Sequence, residues 1–263
     1  MSTARATRSV GTATQREADR KGRRFRPTEA QSGPRVRVKE RDACWTVTAI
    51  DPLAVPLSAL AARLRPVTPN RLTSLSVLVA VGAAALFAAD QLVLGAIVYQ
   101  LSFLVDCMDG KVASMRQLRS SWGGFFDVAG DTVRFVVCFV ALALVSLKGQ
   151  FDAIHLLPAL IYPCARFGLL GMAEARPAGG ERGGMLVPAR PLAVLRLAPR
   201  RATKPGTTVD AEAVAFTLGP LTGLTLEGFA VAAALHVLHA AVLFAGSLRE
   251  AGNERRGRNA AGA

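Results

Sequence analysis

Apolar residues in this chain of 263 residues are concentrated in long stretches that are separated by short polar breaks. Most stretches have about 18 residues or more, the length that an α-helix needs to cross the ~30 Å hydrocarbon layer of a bilayer. The pattern predicts an all-α integral membrane protein with six transmembrane helices. We place these spans at residues 72–89, from 92 past 109, 123–147, 151–172, 209–226 and 229–248.

A shorter amphipathic helix is predicted before the first span. Asp51 and Pro52 are typical of a helix start, as the N-cap and the first helical residue. One apolar stripe follows at helical spacing, formed by Leu53, Leu57, Leu60 and Leu64. At roughly 14 residues this helix is too short to span, and we expect it to lie in the membrane interface.

The polar ends of the chain are strongly basic. Residues 1–42 hold 12 Lys and Arg against five acids and almost no large apolar residues, which predicts a disordered N-terminal tail. Residues 43–248 then form the membrane domain, and residues 249–263 form a basic C-terminal tail. Aromatic residues hardly interleave the N-terminal charges, so we do not expect a nucleic-acid partner.

The connections between the predicted spans differ in charge. Every second connection is basic, as are both tails, and the remaining connections contain few charged residues. By the positive-inside rule, this alternation predicts a multi-pass protein of the cell membrane with both termini in the cytoplasm. We therefore expect the lipid bilayer to be one of its partners.

Four aspartates lie between the second and third spans. Asp106 and Asp109 are three residues apart, and Asp127 and Asp131 are four apart, so each pair lies on one helix face. The charge pattern places both pairs at the cytosolic surface. Clustered carboxylates repel one another unless a cation offsets them, and oxygen ligands suit Mg²⁺, Mn²⁺ or Ca²⁺. The pattern predicts a metal site of the kind that supports phosphoryl transfer.

These residues resemble the signature of the CDP-alcohol phosphotransferases, which are six-helix membrane enzymes that make phospholipids. The family pattern D-x2-D-G-x2-A-R-x8-G-x3-D-x3-D is matched from Asp106 to Asp131 at every position except one. Ser114 stands where the family has Arg. The sequence Thr-Pro-Asn at 68–70, with Thr73, is similar to the start of the family's first helix.

The resemblance covers about residues 45–248 and implies a function. A phosphatidyl or related phosphoalcohol group would pass from a CDP-linked lipid, CDP-diacylglycerol, to a small polyol or polyol phosphate, and CMP would be released. The aspartates Asp106, Asp109, Asp127 and Asp131 would hold two Mg²⁺ or Mn²⁺ ions. Asp131 would also be the catalytic base. The donor would be bound by Gly110, Ala113 and Gly123, with Arg116 or Arg119 in place of the missing Arg.

Two arginines inside predicted spans are candidates for binding the acceptor. Arg134 lies three residues after Asp131 on the same helix face, where it either binds the acceptor or pairs with an aspartate. Arg166, within Tyr162-x2-Ala165-Arg166, resembles a segment that helps bind the acceptor's phosphate in phosphatidylinositol-phosphate synthases. Cys164 replaces the Lys of those enzymes. The sequence leaves the acceptor alcohol open.

Other functions share parts of this pattern. A Mg²⁺-dependent membrane prenyltransferase also has Asp-rich helices, but its motifs are typically well separated. A divalent-cation transporter would place acids near the bilayer midplane in both halves of the chain. A soluble CDP-alcohol with a lipid acceptor would use the same chemistry in the inverse arrangement.

Gly219-x3-Gly223 permits close helix approach and suggests a homodimer.

Overall fold

The computed structural model describes residues 35–148, 152–174, 184–202 and 206–261, which form helices and one small sheet. The short elements are strand β1 (Arg35–Lys39), helix α1 (a π-helical turn Thr46–Ile50 continued by Asp51–Ala61), strand β2 (Gly184–Pro188) and helix α6 (Pro191–Arg201). The long helices are α2 (Pro69–Ala88), α3 (Leu92–Met115), α4 (Ser121–Ser146), α5 (Ala153–Glu174) and α8 (Thr225–Ala261). Helix α7 consists of Thr208–Ala213, a π-helical turn Val214–Leu218 and Gly219–Thr222.

Five of the described helices, α2, α3, α4, α5 and α8, are long and apolar enough to cross a membrane. They start within about one helical turn of five predicted spans, and the protein is an all-α integral membrane protein. Local capping explains two of these starts. The Thr68 side chain accepts a hydrogen bond from the backbone N–H of Arg71, and Pro69 follows as the first helical residue of α2. The Ser120 side chain accepts one from the backbone N–H of Gly123 at the start of α4.

Helix α7 occupies the place of the fifth predicted span but is shorter than predicted. Its three parts have 6, 5 and 4 residues, which together fall below the roughly 20 residues that a span needs. The helix begins with two buried acids, Asp210 and Glu212, and most of its apolar residues are buried as well. It therefore packs inside the protein, and the count of six spans stays a prediction.

Helix α1 exposes the predicted leucine stripe, since Leu53, Leu57 and Leu60 are 40–56% exposed. The opposite face carries small buried residues that pack against the other helices. The prediction that Asp51 caps this helix was wrong. The helical turns begin before it at Thr46, and the Asp51 side chain is buried in ion pairs.

Both predicted tails contain ordered residues at the border of the membrane domain. Strand β1 pairs antiparallel with β2, and its Val36 and Val38 are buried in an apolar cluster with Val187 of β2. Alternating apolar residues among the basic ones explain this strand. Residues 1–34 lie outside the described part of the chain. At the other end, α8 continues past the predicted limit at residue 248 to Ala261.

The two glycines proposed for helix pairing are used inside the chain. A Cβ on Gly228 would lie 3.3 Å from Gly219 Cα, so α7 and α8 pack closely at this pair. Gly223 ends α7 with φ +75°, a left-handed conformation that favours glycine. These glycines therefore explain the turn between α7 and α8. They therefore give no support to the homodimer, which stays a prediction.

A close contact between α2 and α4 positions the aspartates. A Cβ on Gly130 would lie 2.8 Å from Thr73 Cγ2, so only glycine lets the two helices approach this far. Further along, Phe135 of α4 stacks edge-on against Tyr162 of α5 and Phe216 of α7. This aromatic core fixes α4 in relation to α5 and α7, and with it the residues around Asp131.

Candidate active site

The end of α3 and the beginning of α4 bring three of the four aspartates together. Asp106 and Asp109 are buried and Asp127 is half-buried. Each offers a carboxylate oxygen, and these oxygens all lie within 4.8 Å of one another. Such proximity is unfavourable for charged carboxylates alone, whereas a hard divalent cation is held by oxygen ligands of this kind. These three residues, which we call the aspartate cluster, fit a metal centre.

Two side chains of α2 support the aspartate cluster. Thr73 Oγ1 donates to Asp109 Oδ2 at 2.5 Å, and Ser76 Oγ lies 3.4 Å from Asp106 Oδ1. Both hydroxyl residues are buried. Partners of this kind orient the carboxylates that bind a metal. The family resemblance included Thr73, but Ser76 was not predicted, although its spacing from Thr73 places both on one face of α2.

Asp131 lies one turn after Asp127 but does not join the aspartate cluster. Its side chain is 40% exposed, and its Oδ1 accepts a hydrogen bond from Arg134 Nη2 at 2.5 Å. The structure thus brings three of the four predicted metal ligands together and places the fourth at their border. The Asp131 carboxylate is therefore partly accessible at the border of the aspartate cluster.

A second buried polar group lies next to the aspartate cluster. Arg134 Nη2 is 3.7 Å from Asp106 Oδ2 and 4.0 Å from Glu212 Oε2. Arg166 donates to Glu212 Oε1 through Nε at 2.8 Å and Nη2 at 2.7 Å. Tyr99 donates to Glu212 Oε2 at 3.1 Å. The two predicted acceptor arginines therefore meet at one carboxylate that was not predicted, because no motif surrounds Glu212 in the sequence.

Comparison with known protein families gives a match to the family described as CDP-alcohol phosphatidyltransferase, over residues 66–245. The matched range is more than half of the chain and contains the aspartate cluster and both arginines. The chain belongs to the CDP-alcohol phosphatidyltransferase family. No curated protein matches the chain.

Family membership establishes the general activity. A CDP-alcohol phosphatidyltransferase is a membrane transferase of phospholipid biosynthesis that moves a phosphoalcohol group from a CDP-alcohol. The family is generally dependent on a divalent metal, and the aspartate cluster provides carboxylates that can bind one. The several apolar helices agree with this activity, because they make the protein a multi-pass membrane protein.

The residues predicted to bind the donor of this CDP-alcohol phosphatidyltransferase differ in their surroundings. Gly110 is exposed, and a Cβ there would have nothing within 4 Å, so the space beside it is open. Gly123 is more confined, because a Cβ would lie 3.1 Å from Ser120 Oγ. Ala113 and Ser114 are half-buried on α3. The open space at Gly110 is compatible with close approach of a nucleotide.

The two arginines predicted to replace the missing family Arg, Arg116 and Arg119, differ in their contacts and exposure. Arg116 is used for structure, since its three guanidinium nitrogens donate to backbone carbonyls after α1. The acceptors are Ala62 O at 3.0 Å, Leu64 O at 2.5 Å and Val67 O at 2.5 Å. The prediction that Arg116 binds the donor phosphates is therefore not supported by its contacts. Arg119 is exposed in the connection between α3 and α4.

Proposed function

We propose that this protein transfers a phosphatidyl group from CDP-diacylglycerol to a hydroxyl of a small polyol or polyol phosphate, with release of CMP. The observation that carries this proposal is the aspartate cluster, in which three carboxylates lie within 4.8 Å in a member of this family. Bilayer-spanning helices suit a lipid donor, because its acyl chains remain in the membrane while its diphosphate reaches the polar site.

We propose that two Mg²⁺ or Mn²⁺ ions are held by Asp106, Asp109 and Asp127, because several clustered carboxylates can bind a pair of such ions. When bound, they would neutralise the diphosphate and stabilise the charge of the departing CMP. Thr73 supports this role, because its hydroxyl keeps the Asp109 carboxylate in one orientation.

Asp131 is the proposed general base. It takes the proton from the acceptor hydroxyl, and the acceptor oxygen forms a bond to the phosphorus that carries the diacylglycerol. The bond from this phosphorus to the bridging oxygen breaks, and its electron pair leaves with CMP. The hydrogen bond from Arg134 at 2.5 Å holds the Asp131 carboxylate at the edge of the aspartate cluster.

Separate residues would bind the two substrates. Gly110, Ala113 and Gly123 would receive the nucleotide, with Arg119 as the exposed cation near its phosphates. Arg134 and Arg166 would bind the acceptor, since both are buried, Arg134 contacts Asp131, and Arg166 is joined to the same group through Glu212. We further propose that the protein lies in the cell membrane with both termini in the cytoplasm, as the charge alternation predicts. We also propose a homodimer, as the family resemblance suggests.

The test measures CMP released from CDP-diacylglycerol by the purified protein with Mg²⁺ and a panel of polyols and polyol phosphates. Asp131→Asn should lower the rate by about 10²-fold or more, because the acceptor proton then has no base. If the wild type released no CMP with any acceptor, the proposal would be wrong. Release of CMP only from a soluble CDP-alcohol with diacylglycerol would reverse donor and acceptor.

A further inference from the structure

Glu212 connects four helices around the proposed acceptor site. It lies on α7, is 6% exposed, and accepts hydrogen bonds from Tyr99 of α3 and Arg166 of α5. Its second carboxylate oxygen is 4.0 Å from Arg134 of α4. A buried acid held by this many donors has a fixed position.

The charges of both arginines are balanced by carboxylates of the chain itself. Arg166 has Glu212 at 2.7 Å, and Arg134 has Asp131 at 2.5 Å with Asp106 at 3.7 Å. A phosphate brought to these arginines would either displace Glu212 or lie beside it. Like charges brought together in a buried site repel strongly, so this arrangement disfavours an anionic acceptor.

The same arginines still have N–H groups to offer. Arg134 Nε and Nη1 and Arg166 Nη1 are buried and have no hydrogen-bond partner within the described parts of the chain. Their guanidinium groups lie over aromatic rings, with Arg134 5.0 Å from the Phe103 ring and Arg166 4.1 Å from the Phe135 ring. Unpartnered buried donors require oxygen acceptors, and an alcohol with several hydroxyl groups provides them without adding charge.

We propose that Glu212 is a specificity-determining residue, which makes the acceptor site select an uncharged polyol over the same polyol carrying a phosphate. This inference rests on the proposed function and narrows its acceptor class. Glu212 acts through the arginines, because it cancels the positive charge that a phosphate would need. It is therefore also a positioning residue for Arg134 and Arg166.

The experiment uses the full-length protein with CDP-diacylglycerol, Mg²⁺ and two matched pairs of acceptors. The pairs are glycerol with glycerol 3-phosphate and myo-inositol with myo-inositol 1-phosphate. In the wild type, kcat/KM for the uncharged member should exceed that for the phosphorylated member by at least about tenfold. In Glu212→Gln, the ratio should shift toward the phosphorylated member by at least about tenfold.

Two further variants separate charge from structure. Glu212→Asp keeps the charge and should retain the wild-type preference, even where its overall rate is lower. Tyr99→Phe removes one hydrogen bond to Glu212 without changing charge and should also retain the preference. A general packing defect would instead lower the rate for all acceptors and leave the ratio constant in every variant, including Glu212→Gln.

Several outcomes overturn the proposal. A wild type that uses the phosphorylated acceptors as well as the uncharged ones contradicts it whatever the variants do, and this result does not depend on whether Glu212→Gln folds. An unchanged ratio in folded Glu212→Gln also contradicts it. If no acceptor gives CMP, the proposed function is wrong, and this inference is refuted with it.

Discussion

Two acidic sites lie at the same end of α3, one with a single aspartate and one with three, and their charges are balanced in different ways. In the first, which we call the ion-pair cluster, Asp51 is 1% exposed and meets Lys111 Nζ at 2.9 Å and Arg201 Nη2 at 2.8 Å. In the aspartate cluster, three carboxylates meet one another, and Arg134 comes no closer than 3.7 Å to Asp106.

The difference indicates where the chemistry takes place. A buried carboxylate that has its own cations is satisfied within the fold, and removing it leaves those cations unpaired. The three carboxylates of the aspartate cluster repel one another, and Arg134 at 3.7 Å from Asp106 offsets this only in part, so they destabilise the fold unless a ligand supplies more positive charge. The ion-pair cluster should therefore control stability, and the aspartate cluster should control activity.

The largest expected effect is on activity in the aspartate cluster. Asp127→Asn should lower CMP release by at least about 10³-fold, because one of three metal ligands is lost. Without added metal, its free energy of unfolding should equal or exceed that of the wild type, because one repelling charge is gone. CMP release and thermal unfolding in EDTA measure the two quantities. Glu227→Gln, which neutralises an exposed acid at the start of α8, should change neither.

The ion-pair cluster should respond in the opposite way. Asp51→Asn leaves Lys111 and Arg201 without their carboxylate, and the free energy of unfolding should fall by ~3–5 kcal/mol. The rate of CMP release per folded molecule should stay close to that of the wild type. Denaturant unfolding and an activity assay on the folded fraction check this. A stable Asp51→Asn protein that lost its activity would mean that the distinction between the clusters is wrong.

The sequence predicted the aspartate cluster but not the ion-pair cluster, for a physical reason. Helical spacing of three and four residues is a local property, and this spacing alone places Asp106 and Asp109 on one helix face. The partner of Asp51 on α6 is 150 positions away in the chain. Only the packing of α1 against α3 and α6 brings these residues together, so local pattern suggested an N-cap instead.

Local sequence patterns predict other parts of the fold to the same extent, and contacts between distant segments are again what they miss. The starts of the long helices follow from apolar length and from caps such as Thr68 and Ser120, all of which are local. The pairing of β1 with β2 and the convergence of two arginines on Glu212 depend on contacts between distant segments. Asp131 was predicted as a fourth ligand because spacing gives its helix face, whereas its hydrogen bond to Arg134 decides its position.

A smaller effect is expected from the hydroxyl that supports the aspartate cluster. Thr73→Val keeps the shape of the side chain and removes the hydrogen bond to Asp109. The Mg²⁺ concentration for half-maximal activity should rise by about 10–100-fold, as for other groups that orient metal ligands. Thr132→Val is the matched control, because its hydroxyl donates to the Val128 carbonyl of its own helix. Equal Mg²⁺ dependence in both variants would contradict the supporting role of Thr73.

The smallest effect concerns the donor side of the aspartate cluster, at Ser114. Because Gly110 and Ser114 are four residues apart, an arginine at 114 would lie on the face of α3 that is open at Gly110. Ser114→Arg should lower KM for CDP-diacylglycerol by about 3–10-fold with little change in kcat, through a charge-assisted hydrogen bond to phosphate. Ser114→Gln, which adds length without charge, should leave KM unchanged. If Ser114→Arg also leaves KM unchanged, the donor's phosphates already have a cation. Arg119 is then the candidate, because Arg116 is held by backbone carbonyls, and Arg119→Ala should raise KM.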